Sequence, residues 1–334
     1  MARLNGHHGR KLLFLIAGLA VLLTGALVLA WLTGDREPED EALQQPNSSF
    51  MLERKTYNGK TYVERTGLTP ILLMGIDRTD MSPVQKGYRS GGQADYLLLI
   101  VIDSSDKRVS MLQIDRDTMA EIVTLGVLGK QVGTRTTQIC LAHAYGADQL
   151  ENGEYTILAV HNLLEGIELK QFYSMNMSAM PVLNDLLGGV TVTIPEDYTD
   201  IDPAFVKGAT IKLNGDQAYA LVHSRMSVGD GTNVSRMARQ RCYMDAAQKV
   251  LLQRLGSSDS EFVNQLYDRL GDSLTTNITR GQLINEAFKA AKYEILPLEM
   301  LEGTYSIGTD GHVEFHASQE WIVNWVLRTF FREA

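Results

Sequence analysis

The sequence predicts an α/β domain preceded by one transmembrane helix. Short apolar runs bounded by turn residues alternate with stretches of helical periodicity, as they do in layered α/β domains. A long uncharged segment lies near the N-terminus, where it has the character of a membrane span. Hydrophobic residues make up 44% of the 334 residues, which is enough to form a sizeable buried core.

The charge of the chain limits what it binds. The formal net charge is −9, and leaving out Arg3, Arg10 and Lys11, the only charged residues among the first 34, gives −12 for the remainder. An acidic body argues against general nucleic-acid binding, which needs a positive field. An anionic ligand is still compatible with this charge, provided that arginines gather locally around it.

The apolar segment near the N-terminus predicts how the chain is placed in a membrane. Leu12–Leu32 is an uncharged run of 21 residues. As a helix it spans a hydrocarbon core of roughly 30 Å, and it exceeds the roughly 7–15 apolar residues of a signal peptide. Cations precede the run and acidic residues follow it, which predicts a cytoplasmic N-terminus and an extracellular remainder. The predicted cytoplasmic tail, transmembrane helix and polar linker are 1–11, 12–32 and 33–67.

Apolar runs and helical periodicity predict the elements of the domain. The run YLLLIVI is apolar almost throughout and predicts a central strand covered on both faces, paired with the next strand through the turn SSDKR. The predicted strands are Lys60–Glu64, Ile71–Ile76, Tyr96–Ile102, Val109–Ile114, Phe172–Met177, Val190–Ile194 and His312–Phe315. The predicted helices are Thr136–Asp148, Glu154–Leu164, Ala179–Leu187, Gly215–His223, Val234–Leu255, Ser260–Leu274, Arg280–Tyr293 and Gln319–Phe331.

Several common kinds of site have no signature in this sequence. The two cysteines, Cys140 and Cys242, leave both one disulfide and two separate thiols open. The seven histidines lack the spacing of a zinc site. No GxSxG, P-loop or HExxH motif occurs.

Charged residues at the ends of predicted strands form the first candidate site. Asp77 follows the strand ILLMGI, Asp95 opens YLLLIVI, and Arg116 follows VSMLQI. If these strands are neighbours, the three side chains lie near one edge of the sheet, where ligands tend to bind in α/β folds. Two carboxylates there suit a hard divalent cation such as Mg²⁺. The alternative is that the aspartates cap turns, in which Asp is common.

Arginines around the start of one predicted helix form the second candidate site, HSRMSVGDGTNVSRMARQR. Arg225 ends the preceding helix, while Arg236 lies three residues before Arg239 and four before Gln240. This spacing places the last three on one helical face. The helix dipole disfavours cations near an N-terminus, and a bound phosphate or pyrophosphate would offset that effect. A solvated face paired with nearby acidic residues is the alternative.

Six stretches of the chain resemble the LytR-CpsA-Psr family of Gram-positive bacteria. In order they are ILLMGIDRTD, QADYLLLIVIDSSDKRVSMLQIDRDTM, AHAYG, LNDLLGGVTVTIP, LNGDQAYALVHSR and GDGTNVSRMARQR, within Pro70–Leu252. The resemblance implies a central mixed β-sheet between helices. It also implies a catalytic domain over 68–255, with an extension over 256–334 packed on the same domain.

The resemblance implies a phosphotransferase. Such an enzyme moves a glycopolymer from a polyprenyl-pyrophosphate carrier to cell-wall peptidoglycan, with Mg²⁺ as cofactor and the lipid tail in a hydrophobic tunnel. A polyprenyl-pyrophosphate hydrolase and a non-catalytic binder or scaffold for the lipid-linked polymer remain alternatives. The apolar helix faces of TTQICLAHAYG, YTILAVHNLL and AAQKVLL either line such a tunnel or form ordinary core.

The motifs carry the family's site onto this sequence residue by residue. Asp77 and Asp95 resemble the metal-binding carboxylates, and the implied catalytic residues are Asp95, Arg116 and Arg236. The implied pyrophosphate-binding residues are Arg116, Arg225, Arg236, Arg239, Gln240, Arg89 and His223.

Departures from the family motifs reduce the positive charge of the implied site. Family arginines are replaced by Gln93 and His223, the proline of the PRDT motif by Asp115, and a lysine–asparagine pair by Gln138 and Cys140. Arg89 is near enough in sequence to compensate for Gln93. A protonated His223 beside an anionic ligand would partly replace a cation.

Overall fold

The computed structural model describes residues 54–78, 91–126, 129–224, 233–256, 268–279 and 292–334, together with residues 265, 282, 286 and 290. Within these ranges no helix is both long and apolar enough to cross a membrane. The predicted tail and transmembrane helix lie outside the described residues and stay predictions. Most residues of the two predicted helices over 260–274 and 280–293 also lie outside the described residues. The predicted end of the first of these helices is wrong, because Leu274 begins a strand.

Strands and helices alternate along the described chain. The strands are β1 Arg54–Tyr57, β2 Lys60–Glu64, β3 Leu68–Ile76, β4 Ala94–Asp103, β5 Arg108–Ile114, β6 Met119–Leu125, β7 Gln131–Gln138, β8 Gln171–Asn176, β9 Val190–Thr193, β10 Thr210–Leu213, β11 Leu274–Thr276, β12 Glu294–Ile295, β13 Glu299–Met300, β14 Gly303–Ile307, β15 Val313–Ala317 and β16 Phe331–Glu333. The helices are α1 Gln149–Leu163, α2 Met180–Leu186, α3 Gly215–His223, α4 Asn233–Gly256 and α5 Gln319–Phe330.

A seven-stranded mixed sheet forms the centre of the domain. Its order is β11-β8-β3-β4-β5-β12, and β13 also pairs with β5. Strands β3, β4 and β5 are antiparallel neighbours, whereas β8 is parallel to β3, and β12 and β13 are parallel to β5. The predicted α/β class with a central mixed sheet is therefore confirmed, and β4–β5 is the predicted hairpin.

Successive residues of the central strands face two different hydrophobic cores, as the pleat of a strand requires. Leu72 and Leu99 belong to the core that α1 and α5 cover. Leu73 and Leu98 belong to the core on the opposite face. Because both faces are covered, β4 is buried over almost its whole length, as its apolar sequence predicted.

The predicted helix over Thr136–Asp148 is wrong. Strand β7 extends to Gln138 and pairs with β6, and Ile139–His143 forms a short 3-10 turn. Threonines are frequent in β7, and β-branched residues favour strands over helices. The apolar residues that suggested helical periodicity are buried within the 3-10 turn instead.

The N-terminal hairpin and the last strand of the chain form a small separate sheet. Strand β2 pairs with β1 on one side and with β16 on the other, and Phe331 lies opposite Glu64. The Nε of Arg65 donates to the carbonyl of Phe331 at 2.8 Å. The predicted linker over 33–67 is thus corrected at its C-terminal part, because residues 54–67 are strands and turns of the folded domain.

Candidate active site

The end of β3 and the start of β4 bring Asp77 and Asp95 to one edge of the central sheet, as the sequence predicted. The backbone N–H of Asp77 donates to the carbonyl of Gln93 at 2.9 Å. Gly92 has a φ of +74°, and a Cβ there would lie 2.9 Å from the carbonyl oxygen of Asp77. Only glycine fits this close approach without strain.

Arg116, directly after β5, reaches the same place. Its guanidinium forms an ion pair with Oδ1 of Asp95 through Nη1 and donates to Oε1 of Gln93 through Nη2. The Sγ of Cys140 lies 3.3 Å from Nη2. Burial raises the pKa of Cys140 to about 11, so its sulfur stays a neutral thiol near neutral pH.

Arg236, in the first turn of α4, binds the other oxygen of Asp95. Nη1 of Arg236 donates to Oδ2 of Asp95 at 2.7 Å, and the side chain of Arg236 is only 3% exposed. Nε and Nη2 both donate to Oδ1 of Asn233, at 3.0 and 2.6 Å. A buried cation near a helix N-terminus is therefore stabilised by a carboxylate and an amide of the protein itself.

His223, the last residue of α3, completes the cluster. Its Nε2 donates to Oδ1 of Asp77 at 3.0 Å, and its ring stacks on Tyr219 with centroids 4.7 Å apart. The hydrogen bond from His223 is the main reason that the pKa of Asp77 lies below its usual range. Asp77, Asp95 and His223 each offer one possible metal-ligand atom, and these three atoms lie within 4.8 Å of one another. They are close enough to form a site for one cation.

Two predicted pyrophosphate ligands on α4 point elsewhere, and their assignment is corrected. Arg239 is 1% exposed and donates to the carbonyls of Leu221 and Ser224 at the C-terminal end of α3. Its guanidinium also lies over the ring of Tyr198, 4.9 Å from the centroid. Arg239 thus stabilises the end of a neighbouring helix, where the helix dipole favours a cation.

Gln240 faces an apolar cleft rather than the arginines. Its Nε2 donates to the carbonyl of Val222 at 3.3 Å, and no partner of its buried Oε1 is found among the described residues. The cleft lies between β3, β4 and β8 on one side and α2, α3 and α4 on the other. Its walls are Leu73, Met74, Gly75, Tyr96, Leu98, Met175, Met177, Met180, Leu183, Val222, Gln240 and Met244.

Where the structure describes the apolar stretches that the sequence left open as tunnel or core, their buried residues belong to hydrophobic cores. Ile139 and Ile157 belong to the hydrophobic core on the α1 side of the sheet. Ala247 of α4 belongs to a third core beside α2 and α3.

The structure also bears on the cysteines and on two predicted arginines. Cys140 and Cys242 are free thiols, so the disulfide does not form. Arg89 and Arg225 lie outside the described residues and their assignments stay predictions.

The sequence pattern did not identify three residues that contact or support Arg236. Asn233 binds Arg236 directly, Asp115 accepts a hydrogen bond from Asn233, and Tyr305 donates one to Asp115. Asn233 had a usable signal, because it lies three residues before Arg236 at the start of a helix. Tyr305 had no such signal, because it lies 190 residues after its partner Asp115.

A mixed α/β sheet with arginines, carboxylates and an apolar cleft at one edge is an arrangement suited to an amphipathic anionic ligand. The chain belongs to the LytR-CpsA-Psr family, whose profile matches residues 34–324. The recognition made from the six motifs is thereby confirmed.

Relatives and a solved structure agree with this membership. The chain is 26% identical to biofilm regulatory protein A of Streptococcus mutans over 234 residues, 67% of this chain and 53% of that protein. It is 28% identical over 237 residues to the polyisoprenyl-teichoic acid–peptidoglycan teichoic acid transferase TagU of Halalkalibacterium halodurans, with 70% of each chain covered. The crystal structure of protein gbs0355 from Streptococcus agalactiae has the same fold, with a TM-score of 0.61, 24% identity, and coverage of 79% and 88%.

Proposed function

We propose that this chain transfers a glycopolymer from a polyprenyl-pyrophosphate carrier to cell-wall peptidoglycan. The observation that carries the proposal is that Arg116 and Arg236 meet on one buried carboxylate, Asp95, beside an apolar cleft. Membership of the LytR-CpsA-Psr family supports it, as does the similarity to the teichoic acid transferase TagU.

The cleft and the charged cluster adjoin each other along two elements. In α4, Arg236 belongs to the cluster and Gln240, one helical turn further along, lines the cleft. In α3, Val222 lines the cleft and the next residue, His223, belongs to the cluster. A ligand with an apolar tail and a charged head therefore has a place for each part, and a polyprenyl pyrophosphate is such a ligand.

In the proposed reaction, a sugar hydroxyl of peptidoglycan attacks the phosphorus that carries the glycopolymer. A new O–P bond forms, the bond to the bridging oxygen breaks, polyprenyl phosphate leaves with the electron pair, and the hydroxyl proton is released to solvent. Arg116 and Arg236 stabilise the negative charge on the phosphoryl and bridging oxygens. Asp95 holds both guanidinium groups in place, because each of its oxygens accepts a hydrogen bond from one of them.

Mg²⁺ is the cofactor proposed for this site, and the donor set fits a divalent cation. Asp77 and Asp95 would hold the ion through carboxylate oxygens, and His223 would offer an imidazole nitrogen within 4.8 Å of them. A bound ion would supply a Lewis acid to the phosphoryl oxygens.

The experiment that tests the proposal follows a label from a lipid carrier. The full chain in vesicles is given a polyprenyl-pyrophosphate-linked oligosaccharide, labelled in its sugar, and isolated peptidoglycan. We expect label to enter peptidoglycan. Arg116→Ala combined with Arg236→Ala should lower the rate by a factor of about 1,000 or more, because two charge-stabilising donors are lost. Arg135→Ala, an exposed change on β7, serves as the matched control and should keep the rate.

The products also separate the alternatives. Free labelled oligosaccharide phosphate without labelled peptidoglycan would indicate a hydrolase, in which water takes the place of the sugar hydroxyl. Tight binding of an unchanged carrier would indicate a binder or scaffold. Full activity of the double variant would show that the site has been assigned to the wrong residues.

A further inference from the structure

A chain of hydrogen bonds runs from the C-terminal hairpin to Arg236, and we propose that it positions this arginine for the transfer reaction. Its members, Tyr305, Asp115 and Asn233, are called the Tyr305 relay below. The inference rests on the proposed function, because it assigns the relay to the same reaction. It also gives the residues after 255 a role in that reaction, which the family motifs do not reach.

The contacts of the relay are short and continuous. The hydroxyl of Tyr305 donates to Oδ2 of Asp115 at 2.6 Å. Oδ1 of Asp115 accepts from Nδ2 of Asn233 at 2.5 Å. Oδ1 of Asn233 then accepts from Nε and Nη2 of Arg236 at 3.0 and 2.6 Å. Arg236 finally binds Asp95, so five side chains form one connected network.

Asp115 fixes which way the Asn233 amide points. An amide has a donor end and an acceptor end, whereas a carboxylate only accepts and a guanidinium only donates. With Asp115 on one side, the NH₂ group of Asn233 must face Asp115 and its oxygen must face Arg236. The reversed amide would place donors against donors and oxygen against oxygen, so the carboxylate selects the orientation that holds Arg236.

Tyr305 and the backbone hold Asp115 in turn. The backbone N–H of Asp117 donates to Oδ1 of Asp115 at 2.9 Å. The hairpin β14–β15 is fixed to the same loop, because the N–H of Phe315 donates to the carbonyl of Asp117 at 2.8 Å. Tyr305 is 45% exposed, and its ring packs on that of Phe315 with centroids 4.8 Å apart, which directs its hydroxyl from the hairpin towards Asp115.

The relay matters for the reaction because Arg236 must be in place before charge develops. Preorganised donors stabilise a transition state without reorganising at the moment of reaction. A loosened guanidinium would lose part of that stabilisation but would leave binding of the lipid tail in the cleft intact. Tyr305, Asp115 and Asn233 are therefore positioning residues rather than catalytic ones.

The experiment measures kcat and KM of the full chain with the labelled polyprenyl-pyrophosphate oligosaccharide. Tyr305→Phe removes one hydroxyl and should lower kcat about tenfold, the effect of losing one hydrogen bond to a charged group. KM should stay nearly constant. Tyr57→Phe on β1 is the matched control and should leave both constants unchanged.

A double-variant cycle tests whether Tyr305 acts through Arg236. Lysine lacks the forked donors that bind Asn233, so Tyr305→Phe should have no further effect on kcat in an Arg236→Lys background. Equal losses in both backgrounds would overturn the relay. A rise in KM alone, or no change in the wild-type background, would overturn it too.

A spectroscopic measurement decides the same question without turnover. In the ¹⁵N spectrum of the full chain, hydrogen exchange of the Arg236 Nε–H should be several times faster in Tyr305→Phe and unchanged in Tyr57→Phe. Equal exchange in wild type and Tyr305→Phe would overturn the relay, whatever the activity. A wild-type chain that transfers nothing would contradict the proposed function, while this exchange measurement would still test the relay.

Discussion

Asp95 is the anionic partner that the two arginines of the site share. Its side chain is 2% exposed and binds Arg116 on one oxygen and Arg236 on the other. Without this carboxylate, two largely buried guanidinium groups would lose the anion that they share, which is unfavourable in a low dielectric. Asp95 therefore contributes both to the stability of the domain and to the geometry of the site.

His223 gives the proposed metal site an imidazole nitrogen beside two carboxylates. Mg²⁺ prefers oxygen ligands, whereas Mn²⁺ accepts nitrogen more readily. We predict that Mn²⁺ binds more tightly than Mg²⁺, and that His223→Ala weakens Mn²⁺ binding at least about tenfold with a smaller effect on Mg²⁺. Titration calorimetry of the metal-free full chain would measure both affinities.

The control for the metal prediction is His312→Ala, a change at an exposed histidine on the C-terminal hairpin. It should alter neither affinity. An equal ratio of Mn²⁺ to Mg²⁺ affinity in wild type and His223→Ala would show that the imidazole is no ligand and only pairs with Asp77.

Sequence patterns located the centre of the site but not its periphery. Asp77, Asp95 and Arg116 were predictable because they lie at the ends of apolar runs that become neighbouring strands. Arg236 followed from its position in the first turn of a helix. Arg239 was assigned wrongly, because three-residue spacing gives a helical face only approximately. Nothing in the sequence shows that the carbonyls at the end of α3 lie beside it.

At the scale of elements, the contact of α1 with the central sheet depends on one glycine. A Cβ on Gly153 would lie 2.2 Å from the ring of Phe172, a residue of β8 that is completely buried. We predict that Gly153→Ala lowers the free energy of unfolding by about 2 kcal/mol, since overpacking outweighs the roughly 1 kcal/mol by which alanine favours a helix. Urea denaturation would measure the change.

Gly133→Ala is the control for this prediction, because a Cβ at Gly133 on β7 meets nothing within 4 Å. Its unfolding free energy should change by less than about 0.5 kcal/mol. A Gly153→Ala variant as stable as wild type would contradict the prediction, because it would mean that α1 can move away from the sheet at little energetic cost.

The strands that the sequence predicted and those it missed differ in burial. Apolar strands such as β4 are recognisable because both of their faces are covered. Strand β14 is exposed at every position and is recognisable only through its pairing with β15. Two-residue strands such as β12 and β13 carry no pattern at all, and only the parallel partner β5 defines them.

At the scale of the whole molecule, the proposed reaction requires the domain to lie outside the cell, anchored by the predicted helix over 12–32. We predict that protease added to intact cells digests the chain beyond residue 40, while the predicted cytoplasmic tail over 1–11 stays protected, since the bilayer shields it. Immunoblots with an epitope at each end would show the fragments.

Lysed cells provide the control for this experiment, because both ends then become accessible. If the domain resisted protease in intact cells but were cut after lysis, it would lie in the cytoplasm, and the predicted orientation would be wrong. The proposed acceptor, peptidoglycan, would then be out of reach.

The pairing of β16 with β2 joins the last residues of the domain to its first described strands. Antiparallel partners so distant in sequence cannot pair until the chain has been made at least as far as Glu333. Until then, the edge of β2 that β16 covers stays open. Removing β16 would leave that edge unpaired and available to strands of other molecules, so we expect β16 to protect the domain from edge-to-edge aggregation.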